Sequence, residues 1–348
     1  MYPGVRARFV DNGNGLSMHV LEAGGPERPC VLLLHGFPEL AYSWRRIMPP
    51  LADAGFYVVA PEQRGYGRTT GWSADYDGDV GAFGLSNLVH DTVGLIEALG
   101  QRSVVAVVGH DFGSPVAAYC ALTRPEVFRS LVLMSAPFSW TPAPDIDAEL
   151  AALARPRKHY QWYYSTRQAN GDMWHCAQGV HAFLRAYFHM KSADWPGNKP
   201  FRLASWSAAE LAKMPPYYIM ERDKTMAETV APAMPASAAA WLTESELAVY
   251  SAEYARTGFQ GGLQWYRCRT EGRNAGLEQY AGRTIDVPSM FIAGASDWGV
   301  YQVPGAFEQM QGSVLARMRG CHLVDGAGHW VQQEKPAEVA RLLLEFLG

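Results

Sequence analysis

The hydrophobic and polar positions of this chain change rhythm twice. Val5 to Ala23 alternates apolar and polar residues about the turn residues Asn12, Gly13, Asn14 and Gly15, which predicts a hairpin at an antiparallel sheet edge. Cys30 to Leu34, Tyr57 to Ala60, Val104 to Val108 and Leu131 to Met134 are apolar runs bounded by turn residues, the mark of strands buried on both faces. Between them, the chain past the turn Gly36, Phe37 and Pro38 is expected to be helical up to Gly55. Leu85 to Leu99 places Leu88, Thr92, Leu95 and Leu99 on one helix face, with Gly100 as the stop. From residue 139 to 283 the apolar runs vanish and Trp, Tyr, Ala and Pro dominate, predicting a helical insertion. One helix start there is well marked. Thr243 and Glu246 form a capping box, Leu242 and Leu247 can staple it, and Gly258 follows the last turn. The strand pattern returns at Pro288 to Ala293 and Cys321 to Val324. It closes on a helix from Pro336 to Phe346 with Val339, Leu342, Leu343 and Phe346 on one face.

Strands alternating with helices imply a mostly parallel α/β sheet with right-handed crossovers, and sites in such sheets lie at the carboxyl ends of the strands. The expected organisation is a core built from residues 1–138 and 284–348, interrupted by a helical cap over 139–283. Bulk composition narrows the partners. With 348 residues, 18% charged, and a net charge of -4 with no Lys/Arg block, the chain offers no footprint for nucleic acid or an anionic membrane. Neither a signal-like start nor a spanning apolar segment is visible, so a cytoplasmic location is expected, and a homodimer is compatible with this composition. The 5 cysteines, Cys30, Cys120, Cys176, Cys268 and Cys321, are scattered without a CxxC, so neither a disulfide framework nor a metal site is expected. The 11 Trp and 17 Tyr suggest an aromatic-lined cavity for a small apolar molecule.

The chemistry gathers where the apolar runs end. After Val108 comes Gly109, His110, Asp111, Phe112 and Gly113, a nucleophile elbow with aspartate where serine usually sits. The glycines permit the sharp strand-to-helix turn, and the following helix directs free amides and its positive dipole end at the carboxylate. Asp297 follows the strand ending at Ala293, and His329 follows the one ending at Val324. The order Asp111, Asp297, His329 is nucleophile, acid, histidine. A carboxylate nucleophile is already anionic at neutral pH and can attack saturated carbon without a base, so His329, oriented by Asp297, is needed only to activate water against the resulting ester. The negative oxygen that then develops on Asp111 calls for backbone amides, for which Phe37 and Phe112 are the candidates.

At this point the chain resembles the epoxide hydrolases of the α/β-hydrolase fold. The stretches HGFPELAYSWR, QRGYGRT, GHDFGSP, ASDWGV and GAGHWVQQEKP are similar to that family's motifs and span the whole core. The resemblance implies hydrolysis of an epoxide to a vicinal diol, with water as co-substrate and no cofactor. It also implies two epoxide-activating tyrosines in the cap: Tyr266 in GFQGGLQWYR and Tyr160 in HYQWYY, with Tyr163 and Tyr164 open as alternatives to Tyr160. Phenols suit this role, because an alkoxide leaves badly without a proton and a phenol donates one without being ionised at rest. The cap is Ala/Pro rich, so the pocket shape is not carried over. Trp44, Phe138, Trp162, Trp298 and Trp330 are offered only as aromatics lining the site. Glu62 stands where relatives commonly show Asp, a peripheral departure. A haloalkane dehalogenase shares the aspartate nucleophile but holds its halide with indole hydrogens, and Phe112 beside the nucleophile has none to give. A silent binding module of the same fold would be expected to carry a broken triad.

Overall fold

The computed structural model describes residues 3–140, 144–274 and 276–348. Its strands are β1 (Val5–Asp11), β2 (Ser17–Ala23), β3 (Cys30–Leu34), β4 (Tyr57–Pro61), β5 (Ala106–His110), β6 (Leu131–Met134), β7 (Arg157–His159), β8 (Ile219–Glu221), β9 (Ser289–Gly294) and β10 (Met318–Val324). Eight of them form one sheet in the order β1-β2-β4-β3-β5-β6-β9-β10. β1 and β2 pair antiparallel and β2 meets β4 antiparallel, whereas every pairing from β4 to β10 is parallel. The sheet is thus the α/β-hydrolase arrangement, with the hairpin at its antiparallel edge.

Both faces of the middle strands are covered. Leu32 and Leu34 point into one apolar cluster, while Val31 and Leu33, on the alternate positions, point into the other. Each fully buried Leu or Val stabilises the fold by about 1.5–3 kcal/mol relative to exposure, which is why these runs hold no polar residue. β5 lies two residues later than its apolar run. Val104 makes only an isolated bridge to Phe128, whereas Gly109 and His110, polar or small in sequence, are held in the ladder by Leu133 and Met134. The helix expected up to Gly55 is broken into a 3-10 turn, Ala41–Trp44, and a short helix, Met48–Asp53. Pro49 and Pro50 supply no amide hydrogen, so they are accommodated only in a helix's first turn.

The insertion between β6 and β9 is mainly helical, including Tyr160–Tyr164, Gly179–Lys191, Glu244–Thr257 and Gln260–Thr270. It also contains the β7–β8 ladder, which the sequence pattern does not announce because three-residue strands reading RKH and IME hold no apolar run. The capping box is present: Thr243 Oγ1 accepts from the Glu246 amide at 3.3 Å and Glu246 Oε2 accepts from the Thr243 amide at 2.9 Å. The same carboxylate anchors the insertion to the core. Glu246 Oε1 accepts from buried Arg45 Nε at 2.9 Å and from Arg46, and Arg45 Nη1 donates to Gln333 Oε1 at 2.7 Å. Among the described residues no helix is long and apolar enough to cross a membrane.

Candidate active site

β5 delivers Asp111 to its carboxyl end in a left-handed backbone conformation, φ 52°, and the helix Gly113–Thr123 starts immediately after. Such a conformation costs a non-glycine residue on the order of 1–3 kcal/mol and persists only where neighbours over-determine it. The Asp111 amide donates to Met134 O at 3.1 Å and its carbonyl accepts from the Ser114 amide at 3.0 Å. Two glycines make room. A Cβ on Gly109 would come within 2.2 Å of Gly113 O, and one on Gly36 within 2.4 Å of the Asp111 side chain.

The carboxylate is shared between two partners. Oδ1 accepts from the Phe37 amide at 2.9 Å, and Oδ2 lies 3.2 Å from His329 Nε2. His329 Nδ1 is 3.1 Å from Asp297 Oδ1, which also accepts from the Gly299 amide at 2.7 Å. Phe112 caps the elbow helix and its ring lines the cavity, but among the described residues its amide makes no hydrogen bond to the Asp111 carboxylate. All three triad side chains are buried. Burial opposes ionisation of Asp111, but His329 beside it and the Lys191 ammonium outweigh this and hold the carboxyl well below the usual range. For Asp297 burial also opposes ionisation, and His329 and the Gly299 amide again win and lower it. Burial and Lys191 pull His329 down, yet the carboxylates of Asp297 and Asp111 leave it raised overall.

A cavity of about 340 Å³ opens above Asp111, and Phe112, Phe138, Tyr160 and Tyr266 all line it. The Tyr160 hydroxyl donates to Gln302 Oε1 at 3.1 Å and accepts from Gln161 Nε2 at 3.0 Å. Tyr266 packs edge-on against Phe37 and Phe112, its ring centre 5.9 Å from that of Tyr160. Burial, and then the Asp111 charge, raise both phenols, so both stay protonated. The other two tyrosines of that helix are engaged elsewhere: Tyr163 donates to Asp172 Oδ2 at 2.9 Å, and Tyr164 donates to Tyr187 Oη at 3.2 Å.

Of the five lining aromatics expected, only Phe138 faces this cavity. Trp44 is buried against the opposite face of the sheet, in the cluster of Val31, Ala41 and Ile47. Trp162 is half-buried against His159, two residues and so more than half a helical turn from Tyr160. Trp298 is covered by Phe201, and Trp330 gives its indole N–H to Phe188 O at 2.8 Å. Adjacency to a motif does not decide which way a side chain turns.

Four groups that sequence reasoning missed hold His329 in place. His110 Nε2 donates to His329 O at 2.7 Å, with Nδ1 against Glu39 Oε2, and Ser135 Oγ donates to the same carbonyl at 3.0 Å. Glu334 accepts from the Gly328 and Trp330 amides, on either side of His329, at 2.9 and 3.0 Å, and from the Ala193 amide of the insertion at 2.9 Å. Lys191 accepts the His329 amide on its carbonyl at 2.9 Å. Its own ammonium is buried among the rings of Tyr187, Tyr217, Tyr218 and Trp330 at 5.1–5.8 Å. Glu39 and Glu334 lie inside the motifs HGFPE and QQEKP, a usable signal, whereas nothing singled out a lysine at the end of a helix. Among the described residues no group of three or more His, Cys, Asp or Glu is arranged to hold a metal.

Residues 29–218 match the model of the alpha/beta hydrolase fold family. The chain is 36% identical to epoxide hydrolase A of Mycobacterium tuberculosis, across 98% of this chain and 96% of that protein. Among solved structures, an epoxide hydrolase from an endophytic Streptomyces aligns with a TM-score of 0.82 at 32% identity, covering 99% of this chain and 96% of that one. Potato epoxide hydrolase I aligns with a TM-score of 0.78 at 29% identity, covering 99% of each chain. With its elbow aspartate facing a histidine and two phenols, and with these relatives along nearly its whole length, the chain belongs to the epoxide hydrolases of the α/β-hydrolase fold.

Proposed function

We propose that the epoxide is opened in two steps through an ester on Asp111, beneath a cap formed by residues 139–283. The observation that carries this reading is the division of labour between the two carboxylate oxygens: Oδ1 sits on the Phe37 amide while Oδ2 is held 3.2 Å from His329. In the first step Oδ2 forms a bond to an epoxide carbon as the ring C–O bond breaks, and the released oxygen takes a proton from Tyr266 or Tyr160. The carbonyl oxygen of the new ester is then Oδ1, already on its amide donor.

In the second step His329 Nε2 removes a proton from water, which adds to the Asp111 carbonyl carbon. The negative charge develops on Oδ1, where the Phe37 amide receives it and where the amide of Phe112, the N-cap residue of the elbow helix, would serve as the second donor. Collapse breaks the ester bond, the diol oxygen takes the proton held by His329, and the second water proton, left on the Asp111 carboxyl, passes to the tyrosinate, which restores the Asp111 carboxylate and the phenol. Alkylation also prepares the base. While Asp111 is ionised its charge helps raise His329; once esterified it no longer does, and Lys191 continues to pull His329 toward the neutral form.

The substrate class follows as a small, largely apolar epoxide, with water as co-substrate. The assay compares an epoxide with a bromoalkane of the same chain length. Diol formation outrunning halide release supports the reading, because the phenols serve an oxygen that must end protonated. Faster halide release across several lengths refutes it.

A further inference from the structure

Among the described residues, one charged side chain besides Asp111 lines the cavity: Arg269. It lies on the helix Gln260–Thr270, three residues after Tyr266, hence on the same face and one turn farther on. Among the described residues its guanidinium makes no hydrogen bond and no ion pair, whereas its neighbours in sequence Arg267 and Arg273 do. Arg267 on the same helix is held by Glu271 Oε1 at 2.9 Å and by Tyr76 O, and Arg273 lies 4.0 Å from Glu271. Beside it, Asn274 commits its Oδ1 to the Leu85 amide at 2.9 Å, which fixes the amide orientation and leaves Nδ2 as an unused donor on the cavity wall. Gln302 likewise spends Oε1 on Tyr160 and keeps Nε2. Beside its aromatic and aliphatic lining, the cavity wall therefore offers an uncommitted cation on the solvent-exposed Arg269, with Asn274 Nδ2 and Gln302 Nε2 as amide donors.

Resting on the epoxide reading above, we infer that the preferred substrate is an epoxide bearing a carboxylate, which Arg269 grips with Asn274 while Asp111 attacks the ring. A guanidinium binds a carboxylate through two parallel hydrogen bonds that a neutral group cannot replace. The acid must stand away from the ring. A carboxylate directly on the oxirane would be pressed against ionised Asp111, whereas one separated from the oxygen between the tyrosines by about one helical turn, ~5.4 Å, or more reaches Arg269.

The test uses straight-chain ω-epoxy carboxylates of increasing length, each paired with its methyl ester, and reads diol formation as kcat/KM. For chains long enough to span the gap, the acid is favoured over its ester by about tenfold, equivalent to about 1.4 kcal/mol. In Arg269→Gln the acid-to-ester ratio falls to near one, and Arg269→Lys retains part of it. The charge-matched control Arg273→Gln, outside the cavity lining, keeps the wild-type ratio. Equal rates for acid and ester in the wild type, or a preference surviving in Arg269→Gln or lost equally in Arg273→Gln, overturns the inference and leaves the epoxide reading standing. Absence of diol from every acid and every ester overturns both.

Discussion

Removing the two cavity phenols separately tests how the structure divides the work of ring opening. A hydrogen bond to a charged or charging oxygen is worth about 1.5–3 kcal/mol, so Tyr266→Phe should slow alkylation of Asp111 by roughly 10- to 150-fold. Tyr160 starts from a different state. Its hydroxyl already donates to Gln302 at 3.1 Å and must leave that bond, worth about 1 kcal/mol net, before it serves the substrate. Its loss should therefore cost about fivefold less than the loss of Tyr266. The double variant should fall below the product of the two, because the remaining phenol in each single variant still protonates the leaving oxygen. Stopped-flow fluorescence of Trp140, which lines the cavity, under single-turnover conditions reads the alkylation step alone, and circular dichroism checks the fold. An unchanged alkylation rate in Tyr266→Phe, or a larger loss for Tyr160→Phe than for Tyr266→Phe, refutes this reasoning.

Three further outcomes are expected. Because esterification removes the Asp111 charge that helps raise His329, the acid limb of ester hydrolysis should lie at lower pH than the titration of His329 in the free enzyme, read by single-turnover rates and by NMR respectively. Lys191→Met removes the cation that pulls His329 down, so the same acid limb should move to higher pH and the rate at neutral pH should fall, recovering as pH rises. Glu246→Ala leaves buried Arg45 without its carboxylate and should cost about 3–5 kcal/mol in urea unfolding, against about 1 kcal/mol for Thr243→Ala, which removes only the cap.

What could be read from the sequence was decided by whether one residue's neighbours in the chain are also its neighbours in space. The buried strands β3, β4 and β6 announce themselves because both faces demand apolar residues. Asp111, Asp297 and His329 are legible because each follows a strand at the carboxyl-end edge of the same sheet. Tyr266 and Tyr160 were reached through family motifs rather than periodicity, and the structure separates Tyr160 from Tyr163 and Tyr164 by the cavity it faces. The tryptophans fail for the complementary reason: Trp44 and Trp330 are near the motifs in sequence, but the 3-10 turn Ala41–Trp44 and the cap of the helix Val331–Glu334 turn them into the core. Lys191 holds His329 through its own carbonyl, 138 residues earlier in the chain, a backbone contact that no side-chain pattern reveals, whereas the Glu334 carboxylate, 5 residues after His329, lies within the motif QQEKP.

The ester on Asp111 is the center of the account, and one measurement reaches it most directly. His329→Gln keeps the carboxylate, the Phe37 amide and both phenols while removing the base that activates water. Incubated with an epoxide and quenched, it should show by peptide mass spectrometry an adduct equal to the substrate mass on the peptide containing Asp111, accumulating with time and absent from Asp111→Asn. Bound substrate with no adduct on that peptide, or an adduct on another residue, would contradict the mechanism.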